Sequence, residues 1–327
     1  MITPVLTAVL TTAIASTVLI PVSKTVSRKT GCMGLDVHKP NPYPVPKLGG
    51  LVVVGGVMAG YAAAHPFLNS TALTLAVYSS MAIAALIGLY EDFREINPVL
   101  KPALLAFAGV PVVALGVYSP SPFIPFVGNA RLTIVYPILI LIGFAVVCNA
   151  VNSIDVLNGS LAYTSLAALL PLSAAALLDG KTETLILCLA LATALAVFLT
   201  ANKYPSKVFA GNIGSLSVGA VLTLITITGR LEVVAIVALI PQIMNEFHII
   251  YSMRGLRSAK AAAKRPVVVD GGVIRASRER DAPITLLRMV SATGPVSEKQ
   301  AVNRMALISL YSAFLSLITY FFLIRGV

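Results

Sequence analysis

Charge is what this sequence has least of. Only 11% of its 327 residues are Asp, Glu, Lys or Arg, while 57% are hydrophobic and the mean hydropathy is +0.89. That balance excludes a soluble domain of ordinary composition. Cysteine is scarce as well. Cys32, Cys148 and Cys188 have no paired spacing and two of them lie in or beside apolar runs, which excludes a disulfide framework and a cysteine metal cluster. His38, His65 and His248 are scattered, and none has a partner at metal-ligand spacing. Basic residues are missing before Lys24, so the first apolar run lacks the charged start of a secretory signal and is expected to remain as a spanning helix.

What fills the chain instead is apolar runs. A hydrocarbon core of roughly 30 Å takes about 20 apolar residues per helix. Ten runs fall near 3–22, 48–64, 71–89, 102–118, 132–148, 160–178, 184–200, 213–229, 233–252 and 305–324. The expected fold class is an all-α polytopic membrane protein of about ten transmembrane helices, forming one membrane-embedded domain over 1–327. The net charge of +11 does not form a nucleic-acid patch, because the basic residues follow the loops, and nucleic acid is excluded as a partner. Of 24 Lys and Arg, 20 fall after odd-numbered runs, and four, Arg131, Lys181, Arg230 and Arg325, fall on the other side. The positive-inside rule then puts the odd-numbered connections in the cytoplasm and both termini outside, as an even number of spans requires.

Each cytoplasmic connection but one carries both polar residues and cations. The first holds His38, Lys39, Lys47, Gly49 and Gly50 among prolines that forbid regular helix. It reads either as a stiff basic connector or as a place where the glycines let backbone approach a ligand. After the third run, Glu91, Asp92 and Glu95 sit at a membrane boundary with Arg94 and Lys101. Such carboxylates pair with cations or hold a metal. Between the fifth and sixth runs, Asn149, Asn152, Ser153, Asp155, Asn158 and Ser160 have no Lys or Arg among them. Their oxygens suit a hard cation such as Mg²⁺, or else cap the following helix. Lys203 and Lys207 precede Gly211, Asn212 and Gly214, a glycine-rich helix start that favours anions.

The long connection, about 253–303, carries Val267 to Ile274 around Asp270-Gly271-Gly272, which reads as a β-hairpin, and Pro283 to Val290 as a short amphipathic helix. Its cations, among them Lys260, Lys264, Arg265, Arg275, Arg278 and Arg280, also suit anionic lipid headgroups. In the ninth run, Gln242, Asn245 and Glu246 follow Pro241 on one face, marking a functional site, helix-to-helix hydrogen bonds or a bend induced by the proline.

Taken in order, these segments resemble the polyprenyl-phosphate N-acetylhexosamine-1-phosphate transferase family over nearly the whole chain. The branch most similar is that of the UDP-N-acetylglucosamine:dolichyl-phosphate N-acetylglucosamine-1-phosphotransferases of archaea and eukaryotes. The matching residues are Gly34, Asp36 and Lys39 with Lys47, Gly49 and Gly50; Glu91 and Asp92 with Lys101; Asn149 and Asn152; and Tyr204 to Asn212. The resemblance implies a cell-membrane enzyme with a cytoplasmic active site. Its partners would be a UDP-N-acetylhexosamine and a polyprenyl or dolichyl phosphate, its cofactor Mg²⁺ or Mn²⁺ in its place, and its assembly a homodimer. It implies Asp92, Glu91 and Lys101 as catalytic residues, with Asp92 orienting or deprotonating the lipid phosphate. Lys39, Lys47, Glu95, Asn149, Lys207, Lys264 and Arg265 would bind substrate, and Asn152, Asp155 and Asn212 the metal. Two departures stand out: Glu91-Asp92 where the family has Asp-Asp, and Gly211-Asn212 where it has Gly-Asp. Asp155, a position acidic in bacterial relatives, is expected to restore the charge missing at Asn212. A non-catalytic paralogue that only binds these ligands is the alternative; the one-sided placement of the motifs argues against a transporter.

Overall fold

The computed structural model describes residues 2–68, 70–124, 127–257 and 264–326, so Lys260 lies outside the described residues. In chain order the helices are α1 (Ile2–Thr30), α2 (Gly50–Ala64), α3 (Thr71–Phe93), α4 (Leu100–Ala106), α5 (Val110–Ala114), α6 (Val135–Ile154) and α7 (Ser160–Leu178). They continue with α8 (Thr182–Asn202), α9 (Gly211–Thr228), α10 (Glu232–Ala238), α11 (Ile240–Ser252), α12 (Leu286–Val290) and α13 (Glu298–Thr319).

Among the described residues, eight helices are long and apolar enough to cross a membrane, namely α1, α2, α3, α6, α7, α8, α9 and α13. A ninth crossing is formed by α10 and α11 together, which meet at 67°. Pro241 stands in the first turn of α11, where its missing N–H and fixed ring end a continuous helix. The fourth apolar run is the shortest in helical terms. It folds as α4 and α5 around a 3₁₀ turn at Phe107–Gly109, an apolar stretch of Leu100–Ala114 interrupted next to Gly109 and Pro111. All ten expected runs are therefore helical, one of them short and one broken.

Enclosure decides which helix organises the rest. In α9, 78% of the apolar window is buried, against 17% in α1. It packs on α2, α3, α6 and α8 through a surface of small residues. A Cβ on Gly219 would fall 2.5 Å from the Cα of Cys148 in α6. Lipid offers no hydrophobic drive for helices to associate, so small residues that let backbones touch supply the contact instead.

Outside the helices, β1 (Met33–Leu35) pairs antiparallel with β2 (Pro44–Pro46), a strand pair in the proline-rich connector that the prolines' bar on helix did not foretell. A two-residue pair, β3 (Phe123–Ile124) and β4 (Gly128–Asn129), lies on the other side. The expected hairpin is present as β5 (Val267–Asp270) and β6 (Val273–Ala276), turning at Gly271 and Gly272, and β7 (Val296–Ser297) adds a third strand. Leu286, Leu287 and Val290 of α12 pack against Val267, Ile274, Val296 and Met305 in a small separate core. The last helix begins at Glu298, inside the expected loop, because Ser297 and Gln300 close a capping box there.

Candidate active site

The connector before α2 and the approach to α9 lie side by side. Phe209 N–H donates to Pro46 O, Gly49 N–H to Phe209 O and Gly50 N–H to Ala210 O, each at 2.8 Å. Only glycine fits the end of this seam, since a Cβ on Gly50 would fall 2.2 Å from the Gly214 nitrogen. At Gly211 the chain turns into α9 with φ +67°, and a Cβ there would meet Lys47 O at 2.4 Å. The glycines flagged in the sequence are thus sites of close backbone approach.

Asp92, at the end of α3, holds this seam. Its Oδ1 accepts from Asn212 N–H at 2.8 Å and from Lys47 Nζ at 3.0 Å, and its Oδ2 accepts from Ile213 N–H at 3.0 Å. The first amides of α9 have no helical partner, and a carboxylate there also meets the positive end of the helix. Asp92 therefore caps α9 from another helix. Its side chain is fully buried and does not line the cavity described next, so its contacts are those of a holding group rather than a base open to substrate.

Below the seam is a cavity of about 200 Å³. Lys47, Asn152, Asp155 and Asn212 line it, joined by Asp36, His38, Asn158, Asn202 and Phe209. The three residues expected to hold metal thus face one space, although they come from the end of α6, the following turn and the start of α9. Asn152 Oδ1 accepts from Ser215 Oγ at 2.7 Å. The Asp155 carboxylate has no hydrogen bond or ion pair with a described residue, and burial, then the charge of Asp92, pushes its pKa up to about 7, with Lys47 opposing. A carboxylate enclosed without a fixed counter-charge, beside two amide oxygens, is a donor set that fits a hard cation. No trio of His, Cys, Asp and Glu suited to a metal occurs among the described residues.

Other expected site residues lie elsewhere. Lys101 pairs with Glu91 at 2.8 Å, largely buried and away from the cavity lining. Asn149 Nδ2 donates to Ala145 O in its own helix at 2.8 Å. Glu95, Lys207 and Arg265 are exposed, and Lys264 meets Glu279 at 3.7 Å on the surface. Lys39, expected to bind substrate, is buried between Asp36 at 3.0 Å and Glu298, with its Nζ 4.2 Å from the centre of the Tyr204 ring. In the broken helix, Asn245 Nδ2 donates to Ser153 Oγ at 2.9 Å and Gln242 Nε2 to Thr164 O at 3.3 Å, the helix-to-helix reading of that polar face. Burial lowers the pKa of His38. Sequence reasoning assigned no site role to Asp36, Asn158, Asn202 or Glu298. Asn158 and Asp36 stood inside flagged segments, whereas Glu298 carried no signal, being 140 residues from the Asn158 amide it binds.

The model of the family described as glycosyl transferase family 4 matches residues 74–230, the stretch that carries Asp92, Asn152, Asp155 and Asn212. A protein of Sulfolobus acidocaldarius is 30% identical over 229 residues, covering 67% of this chain and 69% of its own. The chain belongs to glycosyl transferase family 4. The Sulfolobus relative is provisionally named UDP-N-acetylglucosamine–dolichyl-phosphate N-acetylglucosaminephosphotransferase. A Saccharolobus solfataricus protein of the same provisional name is 29% identical over 232 residues, 67% of this chain and 69% of its own. A Bacillus subtilis member, provisionally named undecaprenyl-phosphate N-acetylglucosaminyl 1-phosphate transferase, is 26% identical over 229 residues, 68% of this chain and 62% of its own. The family resemblance drawn from the order of the motifs is borne out, and the family-4 match runs from within α3 to the end of α9, including the ends of α6, α8 and α9 that line the cavity.

Proposed function

We propose that this family-4 protein transfers N-acetylglucosamine-1-phosphate from UDP-N-acetylglucosamine to dolichyl or another polyprenyl phosphate and releases UMP. The step would open lipid-linked oligosaccharide synthesis at the cytoplasmic face of the cell membrane. The reading is carried by one observation: in a family-4 chain, a cation, a carboxylate and two amide oxygens, Lys47, Asp155, Asn152 and Asn212, converge on one cavity. The names of the archaeal and Bacillus relatives support the sugar and the lipid.

In the reaction an oxygen of the lipid phosphate forms a bond to the sugar-side phosphorus, and the bond from that phosphorus to the UMP oxygen breaks. A phosphate monoester, with its second pKa near about 6, is already largely a dianion at neutral pH, so no protein base is required. Catalysis is then a matter of holding charge in place. Lys47 keeps a cation at the cavity wall, fixed there by Asp92. Asn152, Asp155 and Asn212 would hold Mg²⁺, or Mn²⁺, which when bound neutralises charge on the diphosphate. Glu91 and Lys101 neutralise each other away from the cavity lining and tie the end of α3 to α4. We extend the reading to a homodimer, which light scattering of the detergent-solubilised protein would check.

The test is UMP release by purified protein with UDP-N-acetylglucosamine, dolichyl phosphate and Mg²⁺, with and without EDTA and tunicamycin. Release that needs lipid and metal is expected. Binding of the UDP-sugar without release would sink the transferase reading in favour of a non-catalytic relative, and Asn212→Asp would be the first change to make.

A further inference from the structure

Beside the cavity is a closed ring of four buried polar residues from three distant segments. Lys39 Nζ contacts Asp36 Oδ2 at 3.0 Å and Glu298 Oε2. Glu298 Oε1 accepts from the Asn158 backbone N–H at 2.9 Å, and Asn158 Nδ2 donates to Asp36 Oδ2 at 3.0 Å. None of the four is more than 7% exposed. Asp36 and Asn158 line the cavity, whereas Lys39 and Glu298 do not. Glu298 stands at the start of α13, directly after β7, and lies outside the residues that the family model matches.

A buried ion pair is a poor stability device, because desolvating both charges offsets their attraction, so its value lies in fixing geometry. Here it fixes the turn that joins α6 to α7. That turn has its Asn158 amide held by Glu298 and its Gly159 amide held by Asn202 Oδ1 at 3.0 Å. Lys39 also rests against the Tyr204 ring, in the segment that leads to Phe209, another lining residue of the cavity.

We propose that Lys39 and Glu298 are positioning residues that set the cavity wall for the nucleotide sugar through Asp36 and Asn158, without touching it themselves. This inference rests on the function proposed above. It ties donor binding to the cytoplasmic sheet, since the strand ending at Ser297 runs straight into Glu298.

The test uses the full chain with Glu298→Gln and Lys39→Met, alone and combined. Glu298→Gln keeps the volume and an acceptor for the Asn158 amide while removing the charge that Lys39 needs. Each single change is expected to raise KM for UDP-N-acetylglucosamine about tenfold with kcat within about twofold, the size of one lost charge-assisted hydrogen bond. The double variant should be no worse than the worse single, because both break the same ring. Hydrogen exchange over 156–160 should quicken in all three. Effects on KM that multiply, a fall in kcat at unchanged KM, or faster exchange with unchanged kinetics would each overturn the proposal. Should Lys39→Met fail to fold, the affinity of the Glu298→Gln protein for UDP-N-acetylglucosamine, measured by calorimetry, decides alone: unchanged affinity overturns the proposal. A wild-type chain that neither binds nor turns over the UDP-sugar overturns the proposed function as well. An active wild type with an unaffected Glu298→Gln variant overturns only this inference.

Discussion

Asp155 is a carboxylate enclosed by the protein, with no ion-pair partner among the described residues. Its pKa is about 7 against an ordinary 3.8, with burial the leading cause. Between those values the native state keeps a proton that the unfolded chain has released, so the contribution of Asp155 to metal-free stability is fully present below about pH 4 and is lost as pH rises to about 7. In EDTA, the melting temperature of the wild type should therefore fall more steeply across this window than that of Asp155→Asn. At pH 8 the variant should be the more stable by on the order of 2 kcal/mol, less than the full shift would give because Asp155 keeps some exposed surface. Equal stability of the two proteins at pH 8 would show that the carboxylate has a counter-charge after all. Asp92 is the contrasting residue: its position at a membrane boundary marked it in the sequence, but its acceptance of two amides of α9 depends on packing that no local pattern records.

Helix against helix, the decisive contact is that of α2 with α9. Both start at glycine, and the two backbones meet where Gly50 and Gly214 touch. Gly50→Ala would drive a methyl to 2.2 Å from the Gly214 nitrogen, a backbone atom that cannot swing aside as a flexible side chain can. We expect a loss of about 1–3 kcal/mol in stability, as for overpacked cores, and at least a tenfold fall in UMP release, since Lys47 lies three residues before the start of α2 and Asn212 is in the first turn of α9. Full activity in this variant would mean the seam does not position the site. The break between α10 and α11 was legible from Pro241, and the hairpin from Asp270-Gly271-Gly272. The pairing of β1 with β2 was not, because Pro44 and Pro46 argue against helix without saying which strand they join.

For the molecule in its membrane, the distribution of cations makes the strongest statement. With 20 of 24 Lys and Arg after odd-numbered runs, the side bearing β5 and β6 should face the cytoplasm. Cys32, Cys148 and Cys188 are all free and buried, so a background without them can carry single reporters. Val127, 74% exposed in the connection between the fourth and fifth runs, should as Val127→Cys react with an impermeant thiol reagent in intact cells. Asp270→Cys, at the exposed hairpin turn, should react only after the cells are opened. The reverse pattern would invert the chain and move the cavity to the outer face.

Sequence by itself determined the apolar runs, their expected orientation and the order of the polar segments between them. These are one-dimensional quantities: a span is a length of apolar residues, and orientation is a tally of cations in loops. Tertiary structure alone decided which of the polar residues meet. It set Asp92 against the first amides of α9, left Lys39 off the cavity lining, brought Asn152, Asp155 and Asn212 to one space, and closed Asp36, Lys39, Asn158 and Glu298 into a ring. The reason is that buried polar groups must find partners wherever packing delivers them, and Glu298 is 259 residues from the lysine it neutralises.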